Sequence, residues 1–99
     1  MDEYSWPPDG DGLAQRASEH WAATVEVLPE GSAVSGRVIG RQPFGVFLAI
    51  ADVPGAVGLA EITTMARGVA LPPVGTLVHG SVIGHAGHNH QVRVRLWDY

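Results

Sequence analysis

The stretch Phe44-Gly45-Val46-Phe47-Leu48 decides the fold and the surface predicted for this chain. It opens a predicted strand over 44–51, in which residues three apart would point to opposite faces, so the two phenylalanine rings would diverge. Gly45 allows a β-bulge that changes the face parity and brings both rings to one side. We expect that side to be the outer face of a small sheet, because the inward positions are taken by Val46, Leu48 and Ile50.

Four more short apolar stretches accompany this strand, at 32–40, 56–60, 76–84 and 91–97, with glycines near their ends. The last one alternates cleanly: Val92, Val94 and Leu96 share one face, and Gln91, Arg93, Arg95 and Trp97 share the other. Thirteen glycines and seven prolines favour short strands and turns over long helices. The pattern predicts an all-β protein, a five-stranded closed barrel without exposed sheet edges.

The first 30 residues differ from the rest in composition. Residues 1–11 are polar and acidic and predict a flexible tail. Residues 12–24 predict a short amphipathic α-helix, with Asp11 as its N-cap and with apolar residues at four-residue intervals, Leu13, Ala17 and Trp21. The barrel domain is expected over residues 31–97.

Charge is divided between these two parts. Residues 1–30 contain seven acidic residues and one arginine, a net charge of −6, whereas residues 31–99 contain three acidic residues and five arginines, a net charge of +2. Four of the five histidines also lie in the second part. The overall net charge of −4 therefore hides a barrel that is suited to a polyanion.

Several classes of protein find no support in the sequence. The chain has no cysteine, which excludes disulfides and thiolate metal sites. It has no apolar run of the roughly 20 residues that cross a bilayer and no basic start of a secretory signal, so we expect a cytoplasmic protein with no membrane contact. No nucleophile elbow, P-loop or Rossmann glycine pattern is present, and we predict no enzymatic activity, no catalytic residue and no cofactor.

At this point the residues resemble a known family, the S1 RNA-binding domain, which has the oligonucleotide-binding fold. The resemblance covers residues 31–96 and rests on five pieces in order: Gly31-x-x-Val34-x-Gly36-x-Val38, Phe44-Gly45-Val46-Phe47-Leu48, Gly58-Leu59-Ala60-Glu61-Ile62-Thr63, Val74-Gly75-x-x-Val78 and Arg93-Val94-Arg95-Leu96. In that family two aromatics of the second strand stack bases, and a basic residue of the last strand contacts the nucleic-acid backbone. The resemblance implies these roles for Phe44, Phe47 and Arg93.

The chain departs from the family pattern at three places. Glu61 stands where the family usually has histidine, which would repel phosphate unless the carboxylate accepts a hydrogen bond from a base amino group. The final hairpin, residues 84–90, is longer than usual and lacks a recognisable aspartate. Trp97 stands where a serine commonly follows the last strand.

Each candidate residue also has a structural interpretation. The two phenylalanines could belong to the core of a small barrel. Arg37 and Arg41 share a parity opposite to Val34 and Val38, which would place them on the outer face with Arg93 and Arg95, either as phosphate contacts or as solvated side chains. Trp97 could join that face or seat the N-terminal helix.

The loop histidines His85, His88 and His90 invite a metal hypothesis. A zinc site needs three or four convergent ligands. The loop offers neither cysteine nor carboxylate, so we predict no metal site and favour a weak attraction for phosphate instead.

The predicted function is a non-enzymatic module that binds single-stranded RNA, with single-stranded DNA as a second candidate ligand. Its predicted binding residues are Phe44, Phe47, Arg93, Arg37, Arg41, Arg95, Glu61 and Trp97. The alternative is a protein-docking module with this fold, which has lost most RNA affinity and binds a protein through helix 12–24 and Trp21. A further hypothesis is that the acidic tail, with Tyr4 and Trp6, folds back and competes with RNA.

Overall fold

A computed structural model describes residues 3–99; the first two residues of the predicted tail lie outside this range. Two short helices, α1 (Gly10–Glu19) and α2 (Trp21–Val27), precede five strands. The strands are β1 (Ala33–Gln42), β2 (Gly45–Ile50), β3 (Val57–Glu61), β4 (Leu77–Ala86) and β5 (Gln91–Leu96), and a 3-10 turn, Ile62–Thr64, follows β3. The strands close into a barrel in the order β1-β2-β3-β5-β4, which confirms the predicted fold class.

The barrel is antiparallel except where β3 and β5 run parallel. Its core consists of the inward residues that alternate along each strand, as in β5, where Val92, Val94 and Leu96 are buried and Arg93 and Arg95 are exposed. Alternation arises because successive side chains of a strand point to opposite faces. Inward positions of β2 are filled by Val46, Leu48 and Ile50, as predicted.

A β-bulge lies at Ile39 in β1. Val38 pairs with Leu48 and Gly40 pairs with Phe47, so Ile39 is an extra residue on the β1 side. The bulge therefore lies in β1, whereas the sequence predicted it at Gly45 in β2. Beyond Ile39 the inward and outward positions of β1 are exchanged, because side chains alternate with a period of two.

The hairpin between β1 and β2 has only two loop residues, Pro43 and Phe44. Gly45 begins β2 with φ 154°, a conformation that L residues with side chains rarely adopt. A Cβ at this position would collide with the carbonyl oxygen of Ala60 and lie 2.9 Å from Cα of Glu61. Glycine is thus required for β3 to approach the start of β2.

The predicted helix over 12–24 is in fact two helices, which meet at His20 (φ −96°, ψ 2°). The predicted N-cap at Asp11 is wrong: α1 begins at Gly10, and the residue before it, Asp9, has φ 51° and makes no side-chain capping hydrogen bond. Trp21 packs against the barrel core and lies edge-on to His85 and His90, with ring centroids 6.0 and 5.7 Å away. The helices therefore dock on the β4–β5 hairpin through Trp21.

Replacing Gly45 with alanine should destabilise the fold by about 1–3 kcal/mol or more, because the new Cβ collides with the main chain of β3. Thermal or urea unfolding measures the change. The matched control is Gly87→Ala, where an added Cβ would meet nothing within 4 Å, and its effect should stay within about 0.5 kcal/mol. Equal stability of the two variants would contradict the packing described for Gly45.

Candidate nucleic-acid interface

One row of outward side chains crosses three neighbouring strands. Phe47 of β2 pairs with Leu59 of β3, and Leu59 pairs with Arg93 of β5. Glu61, the last residue of β3, pairs with Gly45 beside this row. The barrel register thus brings together four of the predicted site residues, Phe44, Phe47, Glu61 and Arg93, on the outer face of β2, β3 and β5.

The two phenylalanine rings lie on one side of the barrel and contact each other. Their ring centroids are 5.9 Å apart and the rings are nearly perpendicular, an edge-to-face arrangement that aromatic pairs favour. Phe44 is 44% exposed, whereas Phe47 is only 7% exposed. Phe47 does not belong to the barrel core cluster, so its low exposure comes from a cover on the outer face.

That cover is the N-terminal segment, defined here as residues 3–9. The indole of Trp6 lies over both phenylalanines, 6.1 Å from Phe44 and 5.9 Å from Phe47, and is itself 65% exposed. Pro7 lies against Gly40, where a Cβ would come within 2.6 Å of the proline Cδ. Part of the predicted tail thus lies on the aromatic pair; its flexibility in solution stays a prediction.

Two main-chain hydrogen bonds anchor the N-terminal segment. The amide of Ser5 donates to the carbonyl of Arg41 (2.8 Å), and the amide of Arg41 donates to the carbonyl of Ser5 (2.7 Å). The guanidinium of Arg41 also lies 5.5 Å from the ring centre of Tyr4. The segment therefore extends the sheet at the end of β1, next to the Phe44–Phe47 pair.

Arg41 is buried, at 7% exposure, and the predicted placement with Arg37 on the outer face is wrong. The bulge at Ile39 reverses the parity beyond it and turns Arg41 to the end of the barrel. There its guanidinium donates to the carbonyl oxygens of Leu71 (3.0 Å) and Glu3 (3.1 Å). Arg41 therefore fastens the N-terminal segment and the β3–β4 connection to β1.

Arg93 and Glu61 form an ion pair on the proposed face. Nε and one terminal nitrogen of Arg93 donate to the same carboxylate oxygen of Glu61, at 3.3 and 3.1 Å. Both side chains are partly exposed, and such pairs are worth only about 0–1 kcal/mol. Glu61 thus neutralises the cation that the sequence analysis assigned to the RNA backbone, at little gain in stability.

The remaining predicted residues lie elsewhere on the barrel. Trp97 donates from its indole nitrogen to the hydroxyl of Ser81 (2.8 Å) and stacks on His79 at 6.5 Å between ring centroids. Arg95 pairs with Ser81, and Arg37 pairs with Leu77 and donates to the carbonyl of Gly75 (2.7 Å). These three side chains belong to the outer face of β1, β4 and β5 and are not part of the Phe44–Arg93 group.

Two of the three loop histidines, His85 and His90, have structural partners. A ring nitrogen of His85 is 2.7 Å from the carbonyl oxygen of Leu28, and His90 contacts Trp21. Over residues 3–99, no three side chains of the metal-binding types converge. Across the same range, no helix is long and apolar enough to cross a membrane.

Two residues of this surface, Leu59 and Trp6, were not among the site residues predicted from the sequence. Leu59 was known only as part of the resemblance, and its place between Phe47 and Arg93 depends on strand pairing. Trp6 was noted only within the hypothesis of a competing tail. Its signal was a large apolar ring in an otherwise polar segment, which is a reason to look for a packing partner.

Similarity to known proteins is found at the level of the fold. No family model matches the chain, and no curated protein matches its sequence. A chain of the a/eIF2alpha–aDim2p–rRNA complex of Pyrococcus horikoshii OT3 aligns over 68% of this chain and 43% of its own length, with TM-score 0.59 and 22% identity. GSP13 of Bacillus subtilis aligns over 70% of this chain and 55% of its own, with TM-score 0.58 and 23% identity.

Mycoplasma genitalium RNase R, solved with ribose methylated single-stranded RNA, aligns over 82% of this chain and 15% of its own length, with TM-score 0.66 and 14% identity. The chain thus spans between 15% and 55% of these three structures. At such identities the likeness establishes the fold alone: the chain has the five-stranded barrel of the oligonucleotide-binding fold, the architecture that the resemblance to S1 domains predicted.

The structural role of Arg41 can be tested by Arg41→Ala. The substitution leaves the buried carbonyl of Leu71 without this donor and removes a packed side chain, so we expect a loss of about 2–4 kcal/mol in the free energy of unfolding. Arg95→Ala, which removes the same charge from an exposed strand position, should change stability by less than about 0.5 kcal/mol. Denaturant unfolding of both variants checks this. Similar losses would contradict the role described for Arg41.

Proposed function

We propose that this chain is a non-enzymatic module that binds single-stranded RNA on the outer face of β2, β3 and β5. The observation that carries the proposal is the contact of Phe44 with Phe47 in the same row as Arg93, on an oligonucleotide-binding barrel. Aromatic rings stack on any base, and an arginine beside them can pair with phosphate. Such a surface binds unpaired strands with little sequence preference.

The exposed ring of Phe44 is the first stacking surface. Phe47 packs against the ring of Phe44. Because Trp6 covers Phe47, a base contacts Phe47 only at the edge of the Trp6 indole. Arg93 is the phosphate contact, and Glu61 holds it in place and competes with phosphate for it. The RNA in two of the similar structures supports this choice of ligand; single-stranded DNA offers the same base faces and phosphates and is the comparison ligand.

Affinity should be modest. Stacking contributes about 1–3 kcal/mol per base, and one phosphate contact, at Arg93, gives a log–log salt slope of only about −0.7 on single strands. We expect dissociation constants in the micromolar range or weaker for one small barrel.

A second candidate, protein docking, is favoured by a separate apolar patch. Trp97 and Val27 are both largely exposed and line one groove together with His79, on the outer face of β1 and β4. Trp21, the anchor proposed for a partner, packs on the chain's own barrel instead. Docking would thus use the Trp97 patch, and the absence of RNA binding at low salt would favour it over the RNA-binding proposal.

Phe44→Ala should weaken binding to a labelled single-stranded RNA by about 5- to 150-fold, the loss of one stacked base at about 1–3 kcal/mol. Fluorescence anisotropy at low salt measures the affinity. Leu77→Ala is the control, because Leu77 is an exposed apolar strand residue outside the proposed face. If both variants bind as the wild type does, Phe44 is not a stacking platform.

Glu61→Gln should strengthen RNA binding several-fold, because Arg93 loses its carboxylate partner and becomes available to phosphate. The log–log salt slope should steepen by up to about 0.7, the full contribution of one phosphate contact on a single strand, as Arg93 moves from partial to complete contact with phosphate. Asp98→Asn changes the net charge equally at an exposed position that makes no contact with Arg93, and it should leave the slope unchanged. A slope equally altered in both variants would point to net charge alone.

A further inference from the structure

A cavity of about 210 Å³ opens beside the proposed RNA face. It lies between the N-terminal segment, helix α1 and the β4–β5 hairpin, and Phe47 forms part of its wall. Trp6, Leu13 and Ala14 supply further apolar wall, and the hairpin contributes Asn89, His90 and Gln91. The cavity is therefore mainly apolar, with two amide side chains in its lining.

The size of the cavity limits its occupant. It is smaller than the roughly 300–1,000 Å³ of pockets that enclose drug-sized ligands, so it suits one flat ring system and not a whole nucleotide. The largely exposed indole of Trp6 offers a π face, and the covered ring of Phe47 lies behind it. Primary amides carry both donors and acceptors, the groups that bind the Watson–Crick edge of a base.

We propose that this cavity takes one unpaired nucleobase of the bound RNA. The base stacks on the wall formed by Trp6 and Phe47, and its polar edge faces Asn89 and Gln91, while sugar and phosphate stay outside. This inference rests on the proposed RNA-binding function and adds a second base site to it. A base on Phe44 and a base in the cavity lie on either side of Trp6.

In this arrangement the N-terminal segment is part of the binding surface. Its two main-chain hydrogen bonds to Arg41, and the contact of Tyr4 with the Arg41 guanidinium, hold Trp6 in place. The indole remains largely exposed over Phe47, so a base can reach it without displacing the segment. The opposite arrangement is one in which the N-terminal segment competes with RNA. The two arrangements predict opposite changes in RNA affinity when Trp6 is replaced with alanine.

Ala14→Leu fills the cavity from an exposed position of α1 and leaves the barrel core untouched. Affinity for an eight-nucleotide single-stranded RNA should fall by about 5- to 100-fold, the loss of one stacked base. Ala22→Leu makes the same change at an exposed position of α2 outside the cavity and should bind as the wild type does. Thermal unfolding of both variants verifies that they are folded.

Trp6→Ala should also weaken binding, and Trp6→Phe should restore most of it, because a ring is kept. Tighter binding by Trp6→Ala would overturn the proposal and show that the N-terminal segment competes with RNA. The double substitution Asn89→Ala/Gln91→Ala should reduce the differences in affinity among oligo-U, oligo-C and oligo-A.

Comparison of these variants distinguishes the proposed base site in the cavity from the proposed RNA-binding function. If Phe44→Ala weakens binding and Ala14→Leu does not, the barrel binds RNA and the cavity holds no base. If the wild type fails to bind RNA at low salt, both proposals are overturned together.

Discussion

The β-bulge at Ile39 is the constraint on which the rest of the surface depends. One extra residue in β1 exchanges its two faces for the remainder of the strand. Gly40 then lies outward next to Phe47, where Pro7 packs on it, and Arg41 turns into the end of the barrel. β4 pairs with β1 only as far as Arg37, and Ser5 forms main-chain hydrogen bonds with Arg41 on the same edge of β1. The aromatic surface, its cover and its anchor all follow from this shift in register.

The proposed face shows how little charge is available for RNA. Arg41 is committed to main-chain carbonyls, Arg37 donates to Gly75, and Arg93 is paired with Glu61. On the RNA-binding proposal, stacking would supply most of the binding energy, because few phosphate contacts are assigned. Stacking also tolerates any base, since each base has a π face. The proposal therefore predicts modest affinity with weak sequence preference.

Main-chain groups and aromatic rings of the N-terminal segment make its described contacts with the barrel. Glu3 meets Arg41 through its carbonyl oxygen. The carboxylate of Asp9 pairs with Arg16 within the N-terminal part itself. Packing of Trp6 on two phenylalanine rings gives the segment a fixed place.

The amino-acid sequence alone determined the five strands and the inward residues of β2 and β5, because local alternation encodes them. The shared side of Phe44 and Phe47 arises from the two-residue β1–β2 loop that contains Phe44, and not from the predicted bulge at Gly45. Only the tertiary structure decided the burial of Arg41, the pairing of Glu61 with Arg93, the separation of Trp97 from the phenylalanines, and the position of Trp6. Each of these depends on strand register or on contacts between distant segments. The apolar run Val38–Ile39 is compatible with either parity, so the bulge that sets the register leaves no local signal.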